Sequence, residues 1–214
     1  MKRWIAVSAA AALLGCGKSS SPVYDGGIVG TPPSGSNGFS FTPTDGAALV
    51  VGPIACTSGT VTAHFSGLLV GFSGYPNFCG FVRSHGIDCA ESKGSSTFVG
   101  FEILKAGLAS VTSVGAGTYD VNTIVSVGAE YVMTGASVTV NDATCNDTGP
   151  NPDTNPVGGT ITITSASAAD VKGSLDLTWT GGGFSGPFEV VGCTVGLDVC
   201  GLVNGGTTGC SGCF

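Results

Sequence analysis

Polar and branched apolar residues alternate along Thr160-Ile161-Thr162-Ile163-Thr164. That is the period-two pattern of a strand with one buried face. Ala169-Asp170 offers a turn, and Val171-Lys172-Gly173-Ser174-Leu175-Asp176-Leu177-Thr178-Trp179 alternates again. Gly181-Gly182-Gly183 turns the chain once more, into Phe184-Ser185-Gly186-Pro187-Phe188-Glu189-Val190-Val191. The pattern predicts a three-stranded antiparallel meander with Ile161, Ile163, Leu175 and Leu177 on one core face. By the same period Trp179 shares that face, while Lys172 and Asp176 oppose it.

The earlier chain reads as β from Phe39 onward. Strand-like runs are Thr60 to Phe65, Gly67 to Phe72, Phe98 to Leu104, Glu130 to Thr134 and Ala136 to Val140. No run has a sustained 3.6-residue period, and Lys105 to Ser113 has room for a single helical turn at most. Asn141 to Gly159 is a polar connection rich in Pro, Gly and Asp. The expected architecture is all-β, an antiparallel β-sandwich of about eight to ten strands, with an open β-barrel as the alternative. One domain over 39–214 is expected, because the strands after that connection would leave a face bare if they stood alone.

The first residues have another logic. Lys2 and Arg3 precede an apolar run from Trp4 to Leu14, interrupted by Ser8. A basic start before a short apolar stretch is the plan of a secretory signal peptide. The run is ~11 residues, short of the ~20 a spanning helix needs. It ends in Leu13-Leu14-Gly15-Cys16, which resembles the lipobox of bacterial lipoproteins. The resemblance implies acylation of Cys16, removal of residues 1–15 and attachment to a membrane through lipid. With Gly17 rather than Asp after the cysteine, it also implies the outer membrane of the bacterial cell envelope, on its periplasmic or surface face. An ordinary signal cleavage within Ala9 to Ala12 is the alternative. Residues 17–38 contain Ser19-Ser20-Ser21-Pro22 and Thr31-Pro32-Pro33-Ser34. Residues 16–38 therefore read as the lipidated cysteine and a flexible tether. Such a coil spans roughly 25 Å relaxed and up to ~70 Å stretched.

The passage 158–193, with Asp170-Val171-Lys172-Gly173-Ser174-Leu175-Asp176-Leu177, the triple glycine, Phe184-Ser185-Gly186-Pro187-Phe188 and Cys193, resembles a pattern in uncharacterised Cys-rich lipoproteins of large-genome bacteria. This implies a β-rich exported domain and brings no activity with it.

Composition narrows the partners. Charged residues are 10% of the chain, against about 25% in an average domain. Without Lys2 and Arg3, 5 basic and 14 acidic residues leave a net charge of −9. With no basic patch, nucleic acid is excluded as an expected partner. An acidic surface is also repelled by anionic headgroups, so the acyl chains must supply membrane attachment.

Nine cysteines are present. Assigning Cys16 to lipid leaves Cys56, Cys79, Cys89, Cys145, Cys193, Cys200, Cys210 and Cys213, an even set in an oxidising compartment and hence four expected disulfides. Closeness in sequence favours Cys79 with Cys89. Cys210 and Cys213 could close a small ring or pair with Cys193 and Cys200.

No catalytic signature stands out. Cys79, His85 and Cys89 can be written as a zinc trio, but Cys-x5-His-x3-Cys matches no standard zinc module, and disulfides compete for the thiolates. His64 sits in a strand pattern and reads as a packed or surface residue. Cys210-Ser211-Gly212-Cys213 lacks the following helix that would activate a thiol. Gly71-Phe72-Ser73-Gly74 and Gly183-Phe184-Ser185-Gly186 are not nucleophile elbows. The strand acids Glu102, Glu130, Asp176 and Glu189 suggest no particular pair for glycoside hydrolysis. Asn141, Asp142, Asp147, Asp153 and Asn155 make an oxygen-rich loop without EF-hand spacing. No metal or other cofactor is expected.

The expected function is therefore a non-catalytic, lipid-anchored surface protein with a structural, adhesive or recognition role, its partner a cell-envelope protein or glycan. The alternative is an extracytoplasmic hydrolase with an unreadable site. Phe72, Tyr75, Phe78 and Phe81 are the candidate aromatic binding cluster, with core packing as the competing use of the same residues.

Overall fold

The computed structural model describes residues 23–86, 89, 93–149, 155–196 and 200. In chain order the elements are β1 (Ser34–Ser36), β2 (Asp45–Ser58), β3 (Val61–Ser73), α1 (Phe78–His85), β4 (Thr97–Gly107), β5 (Gly117–Asp120), β6 (Thr123–Val127), β7 (Glu130–Val140), β8 (Gly158–Ala166), β9 (Asp170–Trp179) and β10 (Gly182–Val191). They form two five-stranded antiparallel sheets, ordered β1-β10-β9-β8-β5 and β2-β3-β4-β7-β6. Neither sheet closes into a barrel; the fold is a disulfide-stapled all-β sandwich.

The expected meander is β8-β9-β10. Ile161 stands opposite Leu175, and Leu177 opposite Phe184. Ile161, Ile163, Leu175, Leu177 and Trp179 are all buried, whereas Asp176 is exposed. Their core partners come from the other sheet: Leu68, Val70 and Phe72 of β3, and Val99, Phe101 and Ile103 of β4. Phe184 packs against Phe72, Phe39 and Phe41, so aromatic rings bridge the two sheets at one end.

Two pairs of strand-like runs are each a single element. Ser66 continues β3 because its buried hydroxyl donates to the Thr112 carbonyl at 2.7 Å. Gly135 continues β7 opposite Glu102, whose carboxyl oxygen would stand 3.1 Å from a Cβ there. The turn allowed for Lys105 to Ser113 is absent: β4 runs to Gly107, and irregular chain follows.

Helix α1 was not expected. α1 starts after Asn77, which adopts φ 57° and makes no side-chain cap. Asp45 caps it from the start of β2 instead, accepting a hydrogen bond from the Phe78 amide at 2.9 Å. The capping signal is 33 residues away, so no local motif announces the helix. α1 lies on the outer face of the β2-β3-β4-β7-β6 sheet, where Phe78, Cys79, Val82 and Tyr75 bury Ala47, Leu49 and Phe98. The short helix is thus held by packing. No helix among the described residues is long and apolar enough to cross a membrane.

Much of the expected tether belongs to the body. Asp25 bridges Cys193, Ile28 bridges Val190, and β1 pairs with β10. Gly26 N–H donates to the Gly192 carbonyl at 2.9 Å, and Val29 N–H to Glu189 at 2.8 Å. Backbone pairing needs no alternating side chains, so a Gly- and Pro-rich segment can satisfy the free edge of β10. Residues 1–22, on which the expected signal peptide, the lipidation of Cys16 and the start of the expected tether fall, lie outside the described residues.

Candidate functional site

The four aromatics fall on both sides of one sheet. Phe72 points into the main core, in edge contact with Phe184 and Phe188. Tyr75, Phe78 and Phe81 group around α1 on the outer face, with ring centroids 5.8 Å apart for Tyr75–Phe78 and 5.4 Å for Tyr75–Phe81. Phe72, Tyr75 and Phe78 are buried, and Phe81 is partly so. Lys93 lies over the Tyr75 and Phe81 rings, 5.3 and 5.5 Å from their centroids. Burial raises the Tyr75 phenol well above its ordinary range, with Asp45 adding to the rise. This is a packed helix seat, not an open stacking platform.

The disulfides run differently from the expected local pair. Cys79 is bonded to Cys193, 114 residues away, and Cys56 to Cys200, 144 residues away. Neither Cys79–Cys89 nor pairing of Cys193 and Cys200 with Cys210 and Cys213 occurs. The reason is orientation: α1 turns Cys79 inward against β2, at the place where the chain leaving β10 crosses beside Ala48. Cys193 N–H donates to the Ala48 carbonyl at 2.7 Å, fixing that crossing. Cys89 and Cys145 are also disulfide-bonded. Cys210 and Cys213 lie outside the described residues.

Oxidation removes Cys79 and Cys89 as thiolate ligands, so the zinc trio with His85 is not formed. His85 instead stacks on Phe81 at 4.4 Å. Its Nδ1 is 2.9 Å from the Ser84 hydroxyl, the one sequence-adjacent Ser–His contact described. That hydroxyl also meets the Gly80 and Phe81 carbonyls at 2.8 and 3.2 Å. The contact is local helix bonding on an exposed surface. His64 is half-buried in β3 between Ala55 and Gly107. Ser73 is fully buried and donates to the Tyr75 carbonyl, and Ser185 sits mid-strand opposite Asp176.

The strand acids serve the strands. Glu130 accepts from the Thr112 amide at 2.6 Å and the Thr112 hydroxyl at 3.0 Å, with Lys105 at 3.6 Å. These contacts, the Thr112 amide foremost, hold its carboxyl below the usual range. Glu189 and Asp170 share Lys172 at 2.8 and 3.4 Å, and Asp176 is exposed on the outer face. Asp142 accepts from the hydroxyl and amide of Thr144 and from the amide and side chain of Asn146. The bond from the Thr144 hydroxyl leads in lowering its carboxyl to about 2. Asp147 accepts from the Val140 and Gly149 amides, and Asn141 donates to the Lys93 carbonyl. The oxygen-rich loop therefore binds its own backbone. Asp153 lies outside the described residues. Among the described residues no group of three or more His, Cys, Asp or Glu side chains could hold a metal ion.

Sequence reasoning missed the cluster where the chain enters the body. Arg83 of α1 donates to the Asp25 carboxylate at 2.6 Å, to the Thr194 carbonyl at 2.9 Å and to the Tyr24 carbonyl. Tyr24 and Thr194 exchange bonds, the Tyr24 amide donating to the Thr194 hydroxyl and the Thr194 amide to the Tyr24 carbonyl. One guanidinium thus fastens the first described residues to the segment after β10, beside the Cys79–Cys193 bond. No sequence signal marks Arg83, because its partners come from both ends of the chain. No family model matches this chain, and no curated protein or solved structure matches it.

Proposed function

We propose that this chain is an exported, lipid-anchored, non-catalytic protein of the bacterial cell envelope. In this reading its β-sandwich has a structural, adhesive or recognition role toward an envelope protein or glycan. The observation that carries the reading is the position of the Leu13-Leu14-Gly15-Cys16 motif relative to the body. Val23, seven residues after Cys16, is 68% exposed, just outside the Arg83 clamp. A lipid on Cys16 can then reach a bilayer without disturbing the core. Seven residues span at most ~25 Å, so the body rides close to the headgroups. Four oxidised long-range cysteines fit an oxidising compartment. The acids tied into strand and loop bonds support a non-catalytic role.

Fractionation of cells expressing wild type and Cys16→Ser tests the proposal. Wild type belongs in the membrane fraction, and the variant in the soluble periplasm or medium. A variant that stays in the membrane at the wild-type level refutes the anchor, because acyl chains are the attachment that the reading requires.

A further inference from the structure

Four strands end the two sheets, and three of these edges are shielded. β1 is three residues long and β5 four. The long strand β2 is overlaid by the N- and C-terminal segments: Gly27 N–H donates to the Gly46 carbonyl, Ala48 bridges Gly192, and Cys56 is bonded to Cys200. β6 is different. Among the described residues it has a strand neighbour only in β7. Thr123-Ile124-Val125-Ser126-Val127 contains no charge, proline or glycine, the devices by which single chains blunt an edge. Ile124, Val125 and Val127 are 63, 47 and 59% exposed, and Tyr131 beside them on β7 is 57% exposed.

The geometry points to β6 as a self-association edge, on which a second copy of this chain pairs its own β6 antiparallel across a two-fold axis. Self-complementarity selects that occupant, and the lack of charge on the strand permits it. The chain carries a net charge of −7, so two copies repel over most approaches, and this charge-free strand lets them meet. Glu130, just beyond its end, is already paired with Lys105. The five residues also complement themselves. With the axis at Val125, Val125 faces its copy and Thr123 faces Val127 on one side of the sheet. Ile124 faces Ser126 on the other. β-Branched side chains opposite one another are the favourable cross-strand pairs, and a two-fold contact uses one patch twice and closes at a dimer. Pairing would join two five-stranded sheets into one continuous sheet and cover Ile124, Val125 and Val127.

Sedimentation of the purified protein over a concentration series tests this, alongside Val125→Lys and a control, Ser174→Lys, on an exposed position of β9. The expected result is a monomer–dimer equilibrium for wild type and Ser174→Lys, and monomer throughout for Val125→Lys with an unchanged β-sheet spectrum. Val125→Cys is expected to give a reducible dimer on a non-reducing gel, since directly opposed strand residues lie within disulfide reach. A monomeric wild type at every concentration overturns the inference, as does a Val125→Lys dimer of wild-type strength or an assembly larger than a dimer. Protection, in isolated monomer, of the β6 amides that point away from β7 overturns it too, because another part of the chain then occupies the edge.

Discussion

Phe78 of α1 rests its ring on Gly71 of β3, where an added Cβ would lie 2.7 Å from two ring carbons. Phe98 closes the same seat at 2.8 Å and also covers the paired Gly100. The two glycines form a shallow trough in the sheet, and the aromatic rings fill it. Gly71→Ala should therefore destabilise the domain by ~1–3 kcal/mol through overpacking. Phe78→Leu in the same chain should recover part of that loss, giving a non-additive double-mutant cycle in denaturant titrations. Additive losses would show that the helix seat does not depend on this contact.

The meander register predicts a sharp contrast between neighbours. Leu175, buried opposite Ile161, should cost ~2–5 kcal/mol when replaced by Ala. Asp176→Ala, on the exposed face, should stay within about 0.5 kcal/mol. Equilibrium unfolding of the two variants measures both. The opposite ranking would mean a strand shifted by one residue.

Removing the Cys79–Cys193 bond as the paired change Cys79→Ala and Cys193→Ala should cost ~2–5 kcal/mol, read as a fall in the denaturation midpoint. Alkylation of the native protein, followed by mass analysis, should label none of the eight cysteines after Cys16. Two or more labelled thiols would contradict this scheme and reopen metal or redox chemistry.

Asp142 gives the stability a defined acid limb. Its carboxyl falls from an ordinary 3.8 to about 2 in the folded chain, chiefly through the Thr144 hydroxyl and the Asn146 amide. A carboxylate depressed in the folded state stabilises it above the unfolded value, and that share is lost as pH falls through the folded one. Stability should thus decline between about pH 4 and pH 2, and Asp142→Asn should be weaker at neutral pH with a flatter acid slope. Midpoints measured across that range decide it; an unchanged slope in the variant would count against the loop bonds.

The sequence was most legible where one face of a strand meets the core and the other meets water. β8 and β9 alternate for that reason, so Ile161, Leu175 and Trp179 could be assigned inward from period alone. β2 could not be read this way. Ala48 and Val50 face the main core while Ala47 and Leu49 face α1, so both faces are apolar and the alternation vanishes. α1 was hidden because Asp45 caps it from a distant strand. The docked N-terminal segment was hidden because its bonds are made by backbone. The aromatic candidates were legible as a group but not by side: Phe72 and Phe78 lie close in sequence with a sheet between them. The Cys79 partner depended on where β10 ends, which spacing alone does not encode.

The pairing of Asp25 with Cys193, and of β1 with β10, sets an order in time. A chain delivered N-terminus first presents Tyr24, Asp25 and β1 long before the strand that holds them exists. Contacts of such sequence separation make folding slow. Until Cys193 arrives, the nearest thiol available to Cys79 is that of Cys89, and a bond formed between them must be exchanged before the native one can close. Maturation is therefore paced by the emergence of the C-terminal third, and a chain halted before β10 has neither of the two pairings, β1 with β10 and Asp25 with Cys193, that fasten its beginning.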